Sequence, residues 1–203
     1  MNCIKENIIV KIRNLFFRYG IKSVTMDDIA QELGISKKTL YQHFATKTDV
    51  LNSVAEYNLA KDQKMVADIH LKATDAIDEM FLLAHYLIEE IANIQSPTLL
   101  YDLQKYYPNN WKEFEAVQNE QVYNHIKHNI ERGIKEQLYR ANLNCDIIAK
   151  LYVSKCMCVI DEVNFPQKTY DKVTLFKDFF EYHIRGIALP KGVKLLEKRL
   201  VSL

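Results

Sequence analysis

Between Thr25 and Lys47 the chain reads TMDDIAQELG, ISKKTLYQHF and ATK, a spacing that dictates two short helices joined by a tight turn. Met26, Ile29, Ala30 and Leu33 recur at i, i+3, i+4 and i+7, one apolar face of a first helix. Thr25 stands at its N-cap, and Asp27 and Asp28 place negative charge on the first turn, where the helix dipole favours it. Gly34 ends that helix by taking the left-handed conformation other residues adopt reluctantly. One residue, Ile35, precedes the next cap, Ser36. Ile35 and Leu40 occupy the N′ and N4 positions of a hydrophobic staple that fixes the exit angle of the second helix. With Leu40 and Phe44 facing inward, Lys37, Lys38, Thr39, Tyr41, Gln42 and His43 are left outside. That set offers cations and hydrogen-bonding tips with no carboxylate, as a helix entering a DNA major groove requires. Capped helix pairs around a glycine also serve as plain packing units, and a lysine pair is commonly a solvated face. The carboxylate-free face, the Ser36 cap and a further cap at Thr46-Lys47 together favour DNA binding.

The run from Gly20 through Thr25–Lys47 to Asp49-Val50-Leu51 resembles the DNA-binding head of the TetR/AcrR family of bacterial transcription regulators. Leu40-Tyr41-Gln42-His43-Phe44 with Lys47 is its most specific part. Ile8, Ile9, Ile12, Leu15, Phe16 and Tyr19 fit the inner stripe of the preceding helix, which Gly20 ends. The motif covers about a quarter of the chain. Beyond it the likeness is one of length, helical texture and Arg185-Gly186-Ile187 at the end of a late helix.

Five glycines and four prolines in 203 residues leave little chain for turns, so an all-α protein is expected. No apolar run reaches transmembrane length, and MNCIKENIIVKIRN interrupts its apolar stretches with charge. No signal peptide is expected, and a cytoplasmic location follows. Cys3, Cys145, Cys156 and Cys158 fit no CxxC pair or metal-finger spacing and are expected to be reduced, with Cys156 and Cys158 serving helix packing rather than a redox switch. Net charge is only +1, but residues 1–50 hold eight Lys/Arg against five Asp/Glu, and the remainder nineteen against twenty-one. A basic head on a mildly acidic body attracts phosphate where it is needed.

After Thr46 the pattern predicts a long fourth helix to about His70, with Val50, Leu51, Val54, Met65 and Ile69 inside. Thr74-Asp75 opens a fifth with a broad apolar face (Ile77, Met80, Phe81, Ala84, Leu87, Ile88, Ile91). Ser96-Pro97 starts a short sixth, and Asn110 with Glu113 caps a seventh that ends near Gly133. An eighth helix is expected from Cys145 to about Val163, a ninth from Asp171 to Ile187, and a short amphipathic helix over Lys191 to Leu203. The expected architecture is an N-terminal three-helix helix-turn-helix head, residues 1–50, joined by a long helix to a helical ligand-binding and dimerisation body, residues 51–203, about nine to ten helices in all. Surplus apolar surface on the eighth and ninth helices suggests a homodimer, with Val159, Phe176 and Phe180 at its interface.

His125-x-x-His128 has a metal-like spacing, but no further ligands complete a set. No phosphate loop or nucleophile elbow is present, so neither an enzyme nor a cofactor is expected. Aromatics with polar tips gather in the region where the resemblance implies an effector pocket: Tyr86, Tyr101, Tyr107, Trp111, Phe114 and Tyr123, with Tyr106 beside them. The expected function is a homodimeric, ligand-responsive repressor released from a palindromic double-stranded DNA operator by an unidentified small molecule. Lys37, Lys38, Thr39 and Tyr41 should face base edges or nearby phosphates, with Gln42 assisting; Thr25, Ser36, His43 and Lys47 should grip the backbone. The family's roles carry over at Thr25, Tyr41, His43 and Lys47. An effector-independent architectural DNA binder and a small-molecule-binding body with a vestigial head are the rival readings.

Overall fold

The computed structural model describes residues 2–201, all helical apart from turns and one isolated bridge, Tyr139 to Ala188. The side chain of Cys3 and residues 202 and 203 of the expected tail lie outside the described part. Eleven α-helices and one π-helical turn follow in order: α1 (Asn2–Tyr19), α2 (Met26–Leu33), α3 (Lys37–His43), α4 (Lys47–Lys72), α5 (Ala76–Ala92), α6 (Leu99–Tyr106), α7 (Pro108–Val117), the π-turn (Gln118–Val122), α8 (Tyr123–Lys135), α9 (Cys145–Ile160), α10 (Lys172–Ile187) and α11 (Pro190–Leu200). They form two compact units. The first is Met1–Met65 with Asn93–Glu113, the second Val66–Ala92 with Phe114–Leu203. The unit that contains the head thus takes in more chain than residues 1–50, including α6.

In the first unit, Ile12, Phe16, Ile29, Leu40, Phe44 and Val50 share one core. Gly34 takes φ 66° and closes α2 by donating to Gln31 O, while Ile35 N donates to Ala30 O. α4 opens on a capping box: Thr46 N donates to Asp49 Oδ2 at 2.8 Å, and Asp49 N to Thr46 Oγ1 at 3.2 Å. Arg13 is buried, donating to Asn58 Oδ1 at 2.8 Å with its guanidinium over the Phe17 ring. Tyr19, expected on the inner stripe, is instead 50% exposed beneath the Arg18 guanidinium, one residue before the chain turns at Gly20. α6 begins after Thr98 rather than at Pro97, because Ser96 is drawn inward, its N–H bonded to Phe17 O. Asn110 is no cap: α7 starts at Pro108, and the buried Asn110 amide donates to Asn52 Oδ1 at 2.7 Å.

The second unit packs α5 against α8 and α10, and α8 along α9. The expected seventh helix runs from Pro108 to Lys135 but is broken by the π-turn, which shifts its face by one residue between α7 and α8. At the centre lies Glu79, 2% exposed. Its carboxylate accepts from Arg132 Nη1 at 3.0 Å and Asn129 Nδ2 at 3.1 Å, and meets His70 Nδ1 at 3.0 Å. Burial pushes this carboxyl up, but the hydrogen bonds from His70, Asn129 and Arg132 and the nearby His125 outweigh it and hold the group below the ordinary range. Asn129 also donates to Ala76 O at 2.9 Å, and its own carbonyl accepts from the buried Tyr139 hydroxyl at 3.1 Å. Tyr139 lies directly on the α8 backbone at Gly133, where a Cβ would sit 2.1 Å from the ring.

The three side chains expected at a dimer interface are core residues of the single chain: Val159, Phe176 and Phe180 are 7%, 4% and 0% exposed. The large apolar side chains that α9 and α10 leave exposed are Ile147, Leu151 and Tyr182. Cys145, Cys156 and Cys158 are free thiols, and burial pushes the Cys156 thiol up to about 12.

Two outcomes follow from this packing. Gly133→Ala forces a methyl into the Tyr139 ring and should cost about 3 kcal/mol or more, read as a lower urea midpoint. His183 is buried edge-on against Tyr152 with ring centroids 4.7 Å apart, and burial, with Lys155 adding to it, lowers its pKa to about 4. The unfolded imidazole titrates near 6.5, so the unfolded chain takes up the proton first. This contribution is fully present above pH 6.5 and is lost as pH falls toward 4. Wild-type stability should fall by roughly 2 kcal/mol between pH 7.5 and 5 on this account. His183→Phe should flatten that dependence in urea titrations, leaving the part owed to His125, whose pKa burial also lowers.

Candidate nucleic-acid interface

Four local contacts aim α3. Ser36 Oγ accepts from Thr39 N at 3.1 Å and lies 2.8 Å from the Thr39 hydroxyl, which fixes the first turn. Leu40, 1% exposed, and Phe44, 7% exposed, anchor the opposite side in the core. Lys37, Lys38, Tyr41, Gln42 and His43 are consequently exposed and Thr39 is half-buried, on a segment free of carboxylates from Gly34 to Thr48. Tyr41 is 51% exposed, a large aromatic presented to solvent by a helix only seven residues long.

The flanking groups are less free than the sequence suggests. Thr25 is engaged in its own capping box: its hydroxyl donates to Asp28 Oδ2 at 2.7 Å and accepts from Asp28 N at 3.2 Å. The Thr25 hydroxyl, and then its N–H, hold the Asp28 carboxyl below its usual range. Lys47 folds its ammonium onto Ile21 O and reaches Lys22 O at 3.4 Å. Burial lowers its pKa, opposed by the charges of Asp102 and Asp28. Lys37 pairs with Asp27 Oδ2 at 2.5 Å across the turn, both groups more than half exposed. Asp27 was legible as a dipole partner of α2. Its reach to Lys37, ten positions along, has no sequence periodicity behind it.

The six candidate pocket aromatics divide between the units: Tyr101, Tyr107 and Trp111 fall in the first, Tyr86, Phe114 and Tyr123 in the second. Tyr101 is exposed, its hydroxyl accepting from Lys105 Nζ at 2.7 Å. Tyr86 is buried at 8% exposure, and Tyr107, Trp111 and Phe114 are half-buried. Tyr123 donates to Asp146 Oδ1 at 2.6 Å and lines a cavity of about 580 Å³ with Asn119, Lys150, Val153 and Ser154. Of the six, it is the one that faces this cavity. Among the described residues no group of three His, Cys, Asp or Glu side chains is arranged to hold a metal, and no helix is long and apolar enough to cross a membrane.

Residues 8–54, which span the helix-turn-helix just described, match the bacterial regulatory proteins of the tetR family. The HTH-type transcriptional regulator YvaF of Bacillus subtilis is 27% identical over 143 residues, 68% of this chain and 72% of its own length. The whole fold is similar to a TetR transcription regulator from Haloarcula marismortui, with a TM-score of 0.74 and 16% identity over 91% of this chain and 97% of that one. It is also similar to a protein from Saccharomonospora viridis solved in complex with choline, with a TM-score of 0.69 and 20% identity over 90% and 96% of the two chains. The family match covers residues 8–54, and the likeness of the whole chain to these solved structures is one of fold.

Proposed function

We propose that this regulator binds a near-palindromic DNA operator as a homodimer in the cytoplasm and represses transcription until a small molecule releases it. The observation that carries the reading is α3 itself. Two buried anchors and a serine cap hold outward a face of Lys37, Lys38, Thr39, Tyr41 and Gln42 that has the shape and charge a major groove accepts. In this assignment Lys37, Lys38, Thr39 and Tyr41 read bases or nearby phosphates, while Thr25, Ser36, His43 and Lys47 hold the backbone. Opening of the Asp27–Lys37 pair then frees one cation for DNA. Residues 1–50 carry DNA recognition and residues 51–203 the effector response and dimerisation. Ile147 and Leu151, one turn apart on α9, and Tyr182 on α10 supply the exposed apolar surface for a second copy. That a structural neighbour holds choline supports a small-molecule site in this fold, without assigning the ligand here. Release requires the ligand to prefer one of two arrangements of the protein; a tenfold loss of DNA affinity corresponds to about 1.4 kcal/mol of coupling. The regulator relatives support a non-catalytic role.

Selection of bound duplexes from random DNA, followed by salt titration, tests the DNA assignment. His43→Ala and Lys47→Ala should weaken binding to all sequences, Lys47→Ala lowering the salt slope by about one unit per protomer, about two per dimer. Lys38→Ala or Tyr41→Ala should instead change the selected bases. A protein that retains no duplex in such a selection would overturn the proposal. For the dimer, Ile147→Glu with Leu151→Glu should give a folded monomer by sedimentation that binds the selected operator at least tenfold more weakly, because each half-site is then held alone.

A further inference from the structure

We propose that Lys22 and Lys105, gathered around the ring of Tyr106, form a second phosphate-binding strip that holds duplex DNA flanking the site read by α3. The proposal rests on the DNA-binding reading above and adds α6, which no motif places near DNA. Lys22 Nζ donates to the Tyr106 hydroxyl at 2.9 Å and stands 4.6 Å from the ring centroid. Lys105 Nζ donates to the Tyr101 hydroxyl at 2.7 Å and stands 5.1 Å from that ring and 5.5 Å from Tyr106. Two ammoniums thus share one aromatic ring. Both lysines and both tyrosines are exposed.

Neither ammonium pairs with a carboxylate among the described residues. Asp102 lies nearest in the chain's fold, but it is 4% exposed and its Oδ2 is committed to Lys22 N at 2.9 Å and the Thr98 hydroxyl at 3.4 Å. Its charge supports Lys22 only weakly, behind Tyr106. Each ammonium has two N–H groups left after its tyrosine bond, and each tyrosine hydroxyl, as acceptor, keeps its own proton to give. The cluster therefore presents donors alone to anything that approaches from solvent. Aromatic rings hold the two cations in place and relieve part of their mutual repulsion, and a polyanion relieves the rest.

Position identifies the partner as DNA. Lys47, at the start of α4, bonds the carbonyls of Ile21 and Lys22, and the N–H of Lys22 bonds Asp102 on α6. Three residues on, Thr25 caps α2 of the helix-turn-helix. Lys47, held on the Lys22 carbonyl, Lys22, held through its N–H to Asp102 of α6, and Lys105 of α6 thus lead from the recognition motif onto α6 within one compact unit. A cationic line of this kind follows a phosphate backbone and carries no base information.

The test uses the full chain and an operator selected from random DNA by the wild type, in a minimal duplex and in one extended by about one helical turn at each end. Lys105→Gln lies on an exposed helix face, so folding is unaffected; Lys22→Gln and the double variant follow, with thermal melts as a check. The wild type should bind the extended duplex with the steeper salt dependence. Because the dimer carries each lysine twice, the double variant should lose about four units of salt slope on the extended duplex, each single variant about two, and none should change on the minimal one. Loss of slope on both duplexes would place the lysines over the core site and overturn the flanking assignment. Unchanged slopes on both, with wild-type binding intact, would overturn the strip and leave α3 recognition standing. Failure of the wild type to bind any duplex would remove both.

Discussion

Burial of Leu40 and Phe44 is the contact on which the rest of the head depends. These two side chains, with Ile12, Phe16, Ile29 and Val50, exclude water from the junction of four helices. Each fully buried side chain of this size contributes about 1.5–3 kcal/mol. α3 is too short to persist alone, since seven residues make fewer than two hydrogen-bonded turns beyond nucleation. Its existence and its rotation about its own axis therefore come from the same pair of anchors. Once they are inside, the polar residues between them have no alternative to solvent, and the Ser36 cap and the left-handed Gly34 set the direction of the exposed face.

The second unit depends on a different interaction, a charge that cannot be left alone. A carboxylate as buried as Glu79 is tolerable only when its lone pairs are occupied. Arg132 and Asn129 supply that from α8 and His70 from the end of α4, while Glu136 accepts from Ala76 N at 2.7 Å at the start of α5 and from Arg132 Nε at 2.7 Å. Apolar packing alone would let α5 slide against α8. The polar lattice fixes one register, because any shift strands a buried donor or acceptor.

Helix order, the head and every cap of the form Thr25-Asp28 or Ser36-Thr39 were legible because they are set within three or four residues of chain. Thr46 belongs to the same class; Asn144 and Asp171 likewise accept from the N–H three residues on, though neither was named as a cap from the sequence. What could not be read is what the far side of a helix meets. Phe176 and Phe180 looked like surplus apolar surface because counting residues on one helix does not reveal how many neighbours surround it; α10 packs on α5, α9 and α11 and buries both. Asn110 looked like a cap because its local spacing is right, but Pro108 already begins the helix, and Asn52 takes the amide. The π-turn has no sequence mark at all, so a single helical wheel cannot be carried through Gln118–Val122. Asp27 meeting Lys37, and Lys22 meeting Tyr106, are side-chain encounters between elements, visible only once the backbone is folded.

The contact between Gly133 and Tyr139 also constrains how this sequence can change over generations. Any side chain at 133 collides with the ring, so that position can vary only after the ring has gone. Removing the ring first deprives Asn129 of the hydroxyl that its buried carbonyl accepts, and opens a cavity where a fully buried aromatic stood. Either first step is deleterious, and the two substitutions are acceptable, if at all, only together. The pair forms an epistatic lock: drift can move freely over the exposed faces of α8 while this point at its C-terminal end stays fixed.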